Sequence, residues 1–170
     1  MSTQDEIVNR VASSALVTFD LEQYYSPGER VLVDIRDQLY EGLMLKEREF
    51  RNFIKTHDWN AYRGKYVAIT CSADAIVPTW AFMLVAIALE PVAAKFVFGG
   101  LEELEIRLFL DEMEKIDWRA FENAKVVIKG CSKISVPVAL YVEAIARIKP
   151  VASSIMFGEP CSTVPLYKKK

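Results

Sequence analysis

The sequence predicts an α/β fold: a three-layer sandwich with a mainly parallel sheet, built from two tandem pseudo-repeats and edged by a pair of N-terminal strands. Three observations predict it. Short segments rich in β-branched and aromatic residues, YVAIT, KFVFG, KVVIK and SIMFG, alternate with helical stretches, which is the pattern of βαβ units. HDWNAYRGKYVAITCS, from His57, aligns with IDWRAFENAKVVIKGCS, from Ile116. The match persists downstream at offsets of 131 − 71 = 60 between cysteines, 137 − 78 = 59 between prolines and 150 − 91 = 59 between the next prolines, where PVAAKFVFG parallels PVASSIMFG.

Taken in chain order, DEIVNRVASSA has the spacing of a short amphipathic helix, Ser26-Pro27-Gly28-Glu29 is a turn, and RVLVDI and QLYEGLML are expected to be two strands. Each repeat then reads helix, strand, cysteine loop, helix, strand. The first helices run from Lys46 to about His57 and from Leu101 to Lys115, the latter with Ile106, Phe109, Leu110 and Met113 on one stripe. Pro78 and Pro137 mark the starts of the second helices, where a missing N–H is tolerated. The 170 residues are expected to form one domain: helix and strand pair in 1–45, repeat one in 46–100, repeat two in 101–158, and a cysteine loop with a basic tail in 159–170.

A chain with 52% hydrophobic and 26% charged residues buries enough apolar surface to fold without disulfides or a structural metal. A net charge of −2 gives no electrostatic basis for nucleic-acid binding, and Lys168-Lys169-Lys170 reads as a solvated tail. MSTQDEIVNRVASS lacks the basic and apolar regions of a secretory signal, so a cytoplasmic location is expected. The apolar run from Ala75 to Leu89 is shorter than the roughly 20 residues of a membrane span and carries Pro78, so it reads as a buried helix.

All three cysteines open a Cys-Ser segment that soon reaches Val-Pro: CSADAIVP from Cys71, CSKISVP from Cys131 and CSTVP from Cys161. Loops following parallel strands emerge at the carboxyl edge of the sheet, where open α/β folds bind ligands. Three thiolates there would suit zinc or an iron centre, including an iron–sulfur cluster, with water, Asp74 or a group from another subunit in the fourth position. The spacing lacks the local Cys-x-x-Cys pairing of zinc knuckles, and cysteine also packs well in cores, so structural cysteines stay open as the alternative. The same edge offers Ser72, Ser132 and Ser162 beside helix starts that could cradle a small anion, although neither GxGxxG nor GxxxxGK is present.

Other residues carry less chemistry. His57 is the only histidine, its repeat mate is Ile116, and its position before YVAIT puts it at the amino edge, away from Cys71. Asp58-Trp59 and Asp117-Trp118 read as turns closed by a core Trp. Asp34 and Asp37 stand out in VDIRDQL, because an acid in an apolar strand needs a partner such as Arg36; Asp20 and Glu22 could add carboxylates. TWAFMLVAIALE is apolar around its whole circumference, whereas its mate VALYVEAIARIK carries Glu143 and Arg147. The former therefore needs a second covering surface, and a homodimer is expected.

EIVNRVASSALVTFDLE, DIRDQLYEGLMLKEREF, CSADAIVPTWAF, KGCSKISVP and FGEPCSTVPLYK together resemble an uncharacterised bacterial family known only as a domain of unknown function. The resemblance covers nearly the whole chain. It implies no reaction and no catalytic residues, and it associates the chain with iron–sulfur assembly genes. The functional expectation is a metal- or iron–sulfur-binding protein using Cys71, Cys131 and Cys161, an accessory to cluster assembly. The alternative is a small-ligand or partner-binding module whose cysteines only pack.

Overall fold

The computed structural model describes residues 16–130, 133–159 and 162–170. Strands and helices interleave as an α/β fold, in the order β1 (Leu16–Asp20), β2 (Arg30–Asp34), α1 (Glu47–Thr56), β3 (Tyr66–Thr70), α2 (Thr79–Leu89), β4 (Lys95–Phe98), α3 (Leu101–Met113), β5 (Lys125–Lys129), α4 (Val138–Ile148), β6 (Ser154–Glu159) and β7 (Ser162–Lys168). The four repeat strands and the helices expected from the periodicity are all present. The expected helix over residues 5–15 lies outside the described residues.

The strands form two sheets rather than one, ordered β1-β5-β6-β7 and β2-β3-β4. All pairings are parallel except β6 with β7. The chain correspondingly divides into two compact units, Met1–Tyr25 with Glu112–Lys170, and Ser26–Asp111. The physical reason is a duplication that begins earlier than the Asp-Trp segments. LVTFDLEQ and VLVDIRDQ are both strands ending in an aspartate that caps a 3-10 turn: Asp20 accepts from the Glu22 N–H, and Asp34 from the Arg36 N–H. Each repeat therefore receives one N-terminal strand, β1 beside β5 and β2 beside β3, instead of an antiparallel pair at one edge.

QLYEGLML is accordingly not a strand. Gln38 closes the 3-10 turn begun at Ile35, and Glu41 and Gly42, both at positive φ, reverse the chain so that Tyr40 and Met44 meet in an isolated bridge. The expected loop and tail at 159–170 become β7, which runs back along β6 with Val164 opposite Phe157. Its alternating Thr163, Val164, Pro165, Leu166 and Tyr167 look too short and too interrupted to read as a strand, and Pro165 is tolerated because β7 is an edge.

In the Ser26–Asp111 unit the three-layer arrangement is explicit. Val33, Val67 and Ile69 on one sheet face, with Ile35 of the 3-10 turn after β2, bury against Phe50 of α1 and Ala81, Val85 and Leu89 of α2. On the other face Ala68 meets Leu104 and Leu108 of α3. Residues three to four apart share a helix face, so one stripe of α2 faces the sheet; each fully buried Val or Leu there contributes about 1.5–3 kcal/mol. The same stripe recurs in α4 as Leu140, Ala144 and Ile148, each 59 residues after its counterpart in α2. Pro78 and Pro137 are the extended residues just before these helices.

Each unit also repeats the Asp-Trp turn. Asp58 and Asp117 cap 3-10 helices at Trp59–Tyr62 and Trp118–Phe121 by accepting from the N–H two residues on. Trp59 donates its indole N–H to the Ile54 carbonyl at 2.8 Å. His57 packs among Phe53, Trp59 and Tyr62, with Nε2 3.0 Å from the Tyr62 hydroxyl, in the packing role expected of it. Among the described residues no helix is long and apolar enough to cross a membrane.

Candidate functional site

The carboxyl edge of β2-β3-β4 carries Cys71 and Ser72 directly after β3, beside the end of β2. The parallel register aligns Asp34 with Thr70, so the aspartate that closes β2 faces the first residues of the cysteine loop. Asp34 Oδ1 accepts from the backbone N–H of Ser72 and of Arg36, each at 3.0 Å. Arg36 Nη1 donates to Ser72 Oγ at 3.3 Å. Burial acts to raise the Asp34 pKa, but the hydrogen bonds from Ser72 and Arg36 and the Arg36 charge outweigh it and hold the carboxyl below its ordinary value. Asp34 is thus the anchor of the Cys71 loop, which explains an acid at the end of an apolar strand.

Cys71 is a free thiol, half-buried, packed against the apolar cluster under α2, with Sγ 4.0 Å from the Ala73 carbonyl. Ser72 and Asp74 are exposed. Asp37 lies 3.9 Å from the Arg36 Nε as an exposed pair of little energetic weight.

The other unit builds an analogous edge from different chemistry. Asp20 aligns with Lys129 across β1 and β5, and Lys129 Nζ donates to Asp20 Oδ2 at 3.0 Å. That hydrogen bond, reinforced by the charges of Asp20, Glu22 and Glu159, raises the Lys129 pKa against a smaller opposing effect of burial. Glu22, at the position corresponding to Arg36, reaches further: its Oε1 accepts from the Lys133 N–H at 2.9 Å, clasping the loop that follows β5. Both edges therefore tie the cysteine-bearing loop to the turn after the first strand, one through Asp34 and one through Glu22.

Cys131, Ser132 and Cys161 lie outside the described residues. Their described neighbours are informative: β5 and β6 are hydrogen-bonded partners with Ile128 aligned to Phe157, and Ser162 pairs with Glu159 where β7 begins. Ser162 is exposed. Among the described residues no three His, Cys, Asp or Glu side chains group as metal ligands.

A family model described as "Protein of unknown function (DUF2480)" matches residues 5–169. The chain belongs to this DUF2480 family. No curated protein and no solved structure matches it. For a DUF2480 member, then, the chemistry has to be read from the two edges. Residues missed by the sequence reading, Lys129 and the loop-holding role of Glu22, had a signal available: TFDLEQ and LVDIRDQ are offset by 34 − 20 = 14 residues, which equates Glu22 with Arg36 and both with the turn after a strand.

Proposed function

We propose that this protein is a thiolate metal-binding protein whose primary ligands are Cys131 and Cys161, taking zinc or iron, with iron–sulfur assembly as the corresponding cellular setting. The observation that supports this reading is the parallel register of β5 and β6. In sequence, Cys131 comes two residues after the end of β5 and Cys161 two residues after the end of β6, and these two strands are immediate hydrogen-bonding neighbours running in one direction. Adjacent strands are about 4.8 Å apart, within the span of two thiolates on one ion. The Asp20–Lys129 pair and Glu22 add a fixed set of charges along the same edge. Soft thiolates select zinc, iron and iron–sulfur clusters over magnesium or calcium.

Metal analysis of protein purified without chelators tests it. The parent should carry stoichiometric zinc or iron, and Cys131→Ser and Cys161→Ser should each lose most of it. Cys71→Ser reports, in the same assay, whether the third thiol contributes. A parent without metal, and without visible absorbance after anaerobic reconstitution with iron and sulfide, rejects the reading.

A second reading, a small-ligand or partner-binding module with structural cysteines, is favoured by the packing of half-buried Cys71 against the cluster under α2. Its signature is a Cys71→Ser variant that loses stability and no metal. Self-association into a homodimer belongs to the proposal as well, supported by the apolar residues that α2 leaves exposed, Met83 and Ile87.

A further inference from the structure

The two units differ at one edge. In one, β6 is covered by β7. In the other, β4 pairs only with β3 among the described residues and ends its sheet. The uncovered strand, KFVF, has none of the usual guards against edge pairing: no proline, no bulge, and a single lysine whose charge is already paired with Asp111. Beside it an apolar groove of about 520 Å³ runs between α2 and β4, bounded by Phe82, Met83, Phe96 and Phe98.

The repeat supplies its own reference for what such an edge looks like when filled. Phe98 and Phe157 occupy equivalent positions, each in edge-to-face contact with an aromatic ring of the overlying helix, Phe82 and Tyr141 respectively. With Val164 of β7 opposite it, Phe157 is 38% exposed; Phe98 is 68% exposed. Among the described residues, β4 has no antiparallel strand beside it.

We infer that the strand completing this edge is β4 of a second copy, so that two chains pair edge to edge in an antiparallel seam centred on Val97. This deepens the homodimer reading by specifying its interface. The backbone sets the register. The Gly99 N–H bonds to the Ile69 carbonyl, so by alternation Val97 faces β3, and Phe96 and Phe98 point their N–H and C=O groups to the open side. Centring on Val97 sets Phe96 against Phe98 of the partner subunit as a doubly hydrogen-bonded pair on each side of the two-fold axis. A register centred one residue later is disfavoured, because it would require the Gly100 N–H, which already donates to Glu103 Oε2 at 2.7 Å. The symmetric pairing also brings the two α2 helices to the same sheet face, covering Met83 and Ile87.

The area is sufficient for such an interface. Met83, Ile87 and Phe98 are 58%, 69% and 68% exposed. Together they present on the order of 400 Å² of apolar surface per copy, half of what each partner of a standard interface buries, before the groove walls and strand backbone are added.

Light scattering on the full-length chain at micromolar concentration should give twice the 19.3 kDa chain mass. Phe98→Glu should raise the dimer dissociation constant by about 30-fold or more, the scale of an interface hot spot. Val142→Glu, on the exposed face of α4 at the position matching Met83, should leave the parent mass unchanged. Ile87→Lys serves where circular dichroism shows Phe98→Glu to be unfolded. Symmetric pairing further predicts that Val97→Cys chains, in a background with the native cysteines changed to serine, cross-link to each other on oxidation. A monomeric parent overturns both the homodimer reading and the seam. A dimeric parent whose mass ignores Phe98→Glu and Ile87→Lys, or responds equally to Val142→Glu, leaves the homodimer standing and overturns the seam.

Discussion

Replacing Asp34 by alanine removes a single carboxylate that satisfies two backbone donors, the Arg36 N–H at the start of a 3-10 turn and the Ser72 N–H in the Cys71 loop. Loss of a capping acceptor costs about 0.5–2 kcal/mol, and a hydrogen bond to a charged group about 1.5–3 kcal/mol when it is shielded from water. Both bonds here are solvent-exposed, which reduces the charged contribution, so the expected destabilisation is about 1–2 kcal/mol. Asp34→Asn keeps an acceptor and should cost about half as much. Urea unfolding followed by tryptophan emission in a Trp118→Phe background reads the Ser26–Asp111 unit through Trp59 and Trp80. With a slope of about 1 kcal/mol per molar urea, the midpoint should fall by about 1–2 M. The pH dependence has a definite sign. The folded-state pKa of Asp34 is lowered, so its contribution is present above the unfolded value near 3.9 and is lost as pH falls through the folded value. The gap between parent and Asp34→Asn should therefore be full at neutral pH and close in acid. An Asp34→Ala midpoint indistinguishable from the parent's, with an unchanged rate of Cys71 thiol labelling, would refute the anchoring role.

Three further outcomes are expected. Gly158→Ala should destabilise the β6–β7 hairpin by about 1–3 kcal/mol, since φ is +124° and a Cβ would lie 2.5 Å from the Ser162 carbonyl oxygen; faster amide exchange in β7 is the readout. Phe50→Ala, which empties a position 1% exposed between α1, α2 and the sheet, should cost about 3–5 kcal/mol in chemical denaturation. Arg30 holds Glu105 of α3 through two bonds at 2.9 and 3.0 Å with both side chains largely covered, so Arg30→Ala should loosen α3 and increase its proteolysis, while exposed Arg51→Ala at the Glu47 pair should leave stability within about 0.5 kcal/mol.

The strands YVAIT, KFVFG, KVVIK and SIMFG were legible because burial imposes a period that survives in the sequence, whereas the stripe on α3 was legible only in part: Phe109 and Met113 are buried as expected, but Leu104 and Leu108 rather than Ile106 and Leu110 meet the sheet. The 59-residue offset was legible because both copies keep the Asp-Trp turn and the two prolines, and the buried stripes Ala81-Val85-Leu89 and Leu140-Ala144-Ile148 follow the same offset. The sheet division was not. It depends on which strand pairs with which, a long-range choice that leaves its only local trace in the twin turns at Asp20 and Asp34. β7 escaped because an edge strand needs little apolar alternation and tolerates Pro165. Cys71 emerges at a carboxyl edge as expected. The clasp on the loop after β5 went unseen because Glu22 and Lys133 are 111 residues apart and their contact is one side chain on one backbone N–H.

The most direct test of the central claim is the metal content of chelator-free protein, measured by inductively coupled plasma mass spectrometry for the parent and for the Cys131→Ser, Cys161→Ser and Cys71→Ser variants. The account predicts stoichiometric zinc or iron in the parent that falls by at least about tenfold in both Cys131→Ser and Cys161→Ser, as expected when a ligand of a thiolate site is removed. Equal metal in the parent and in those two variants, or none in any of them, would contradict it.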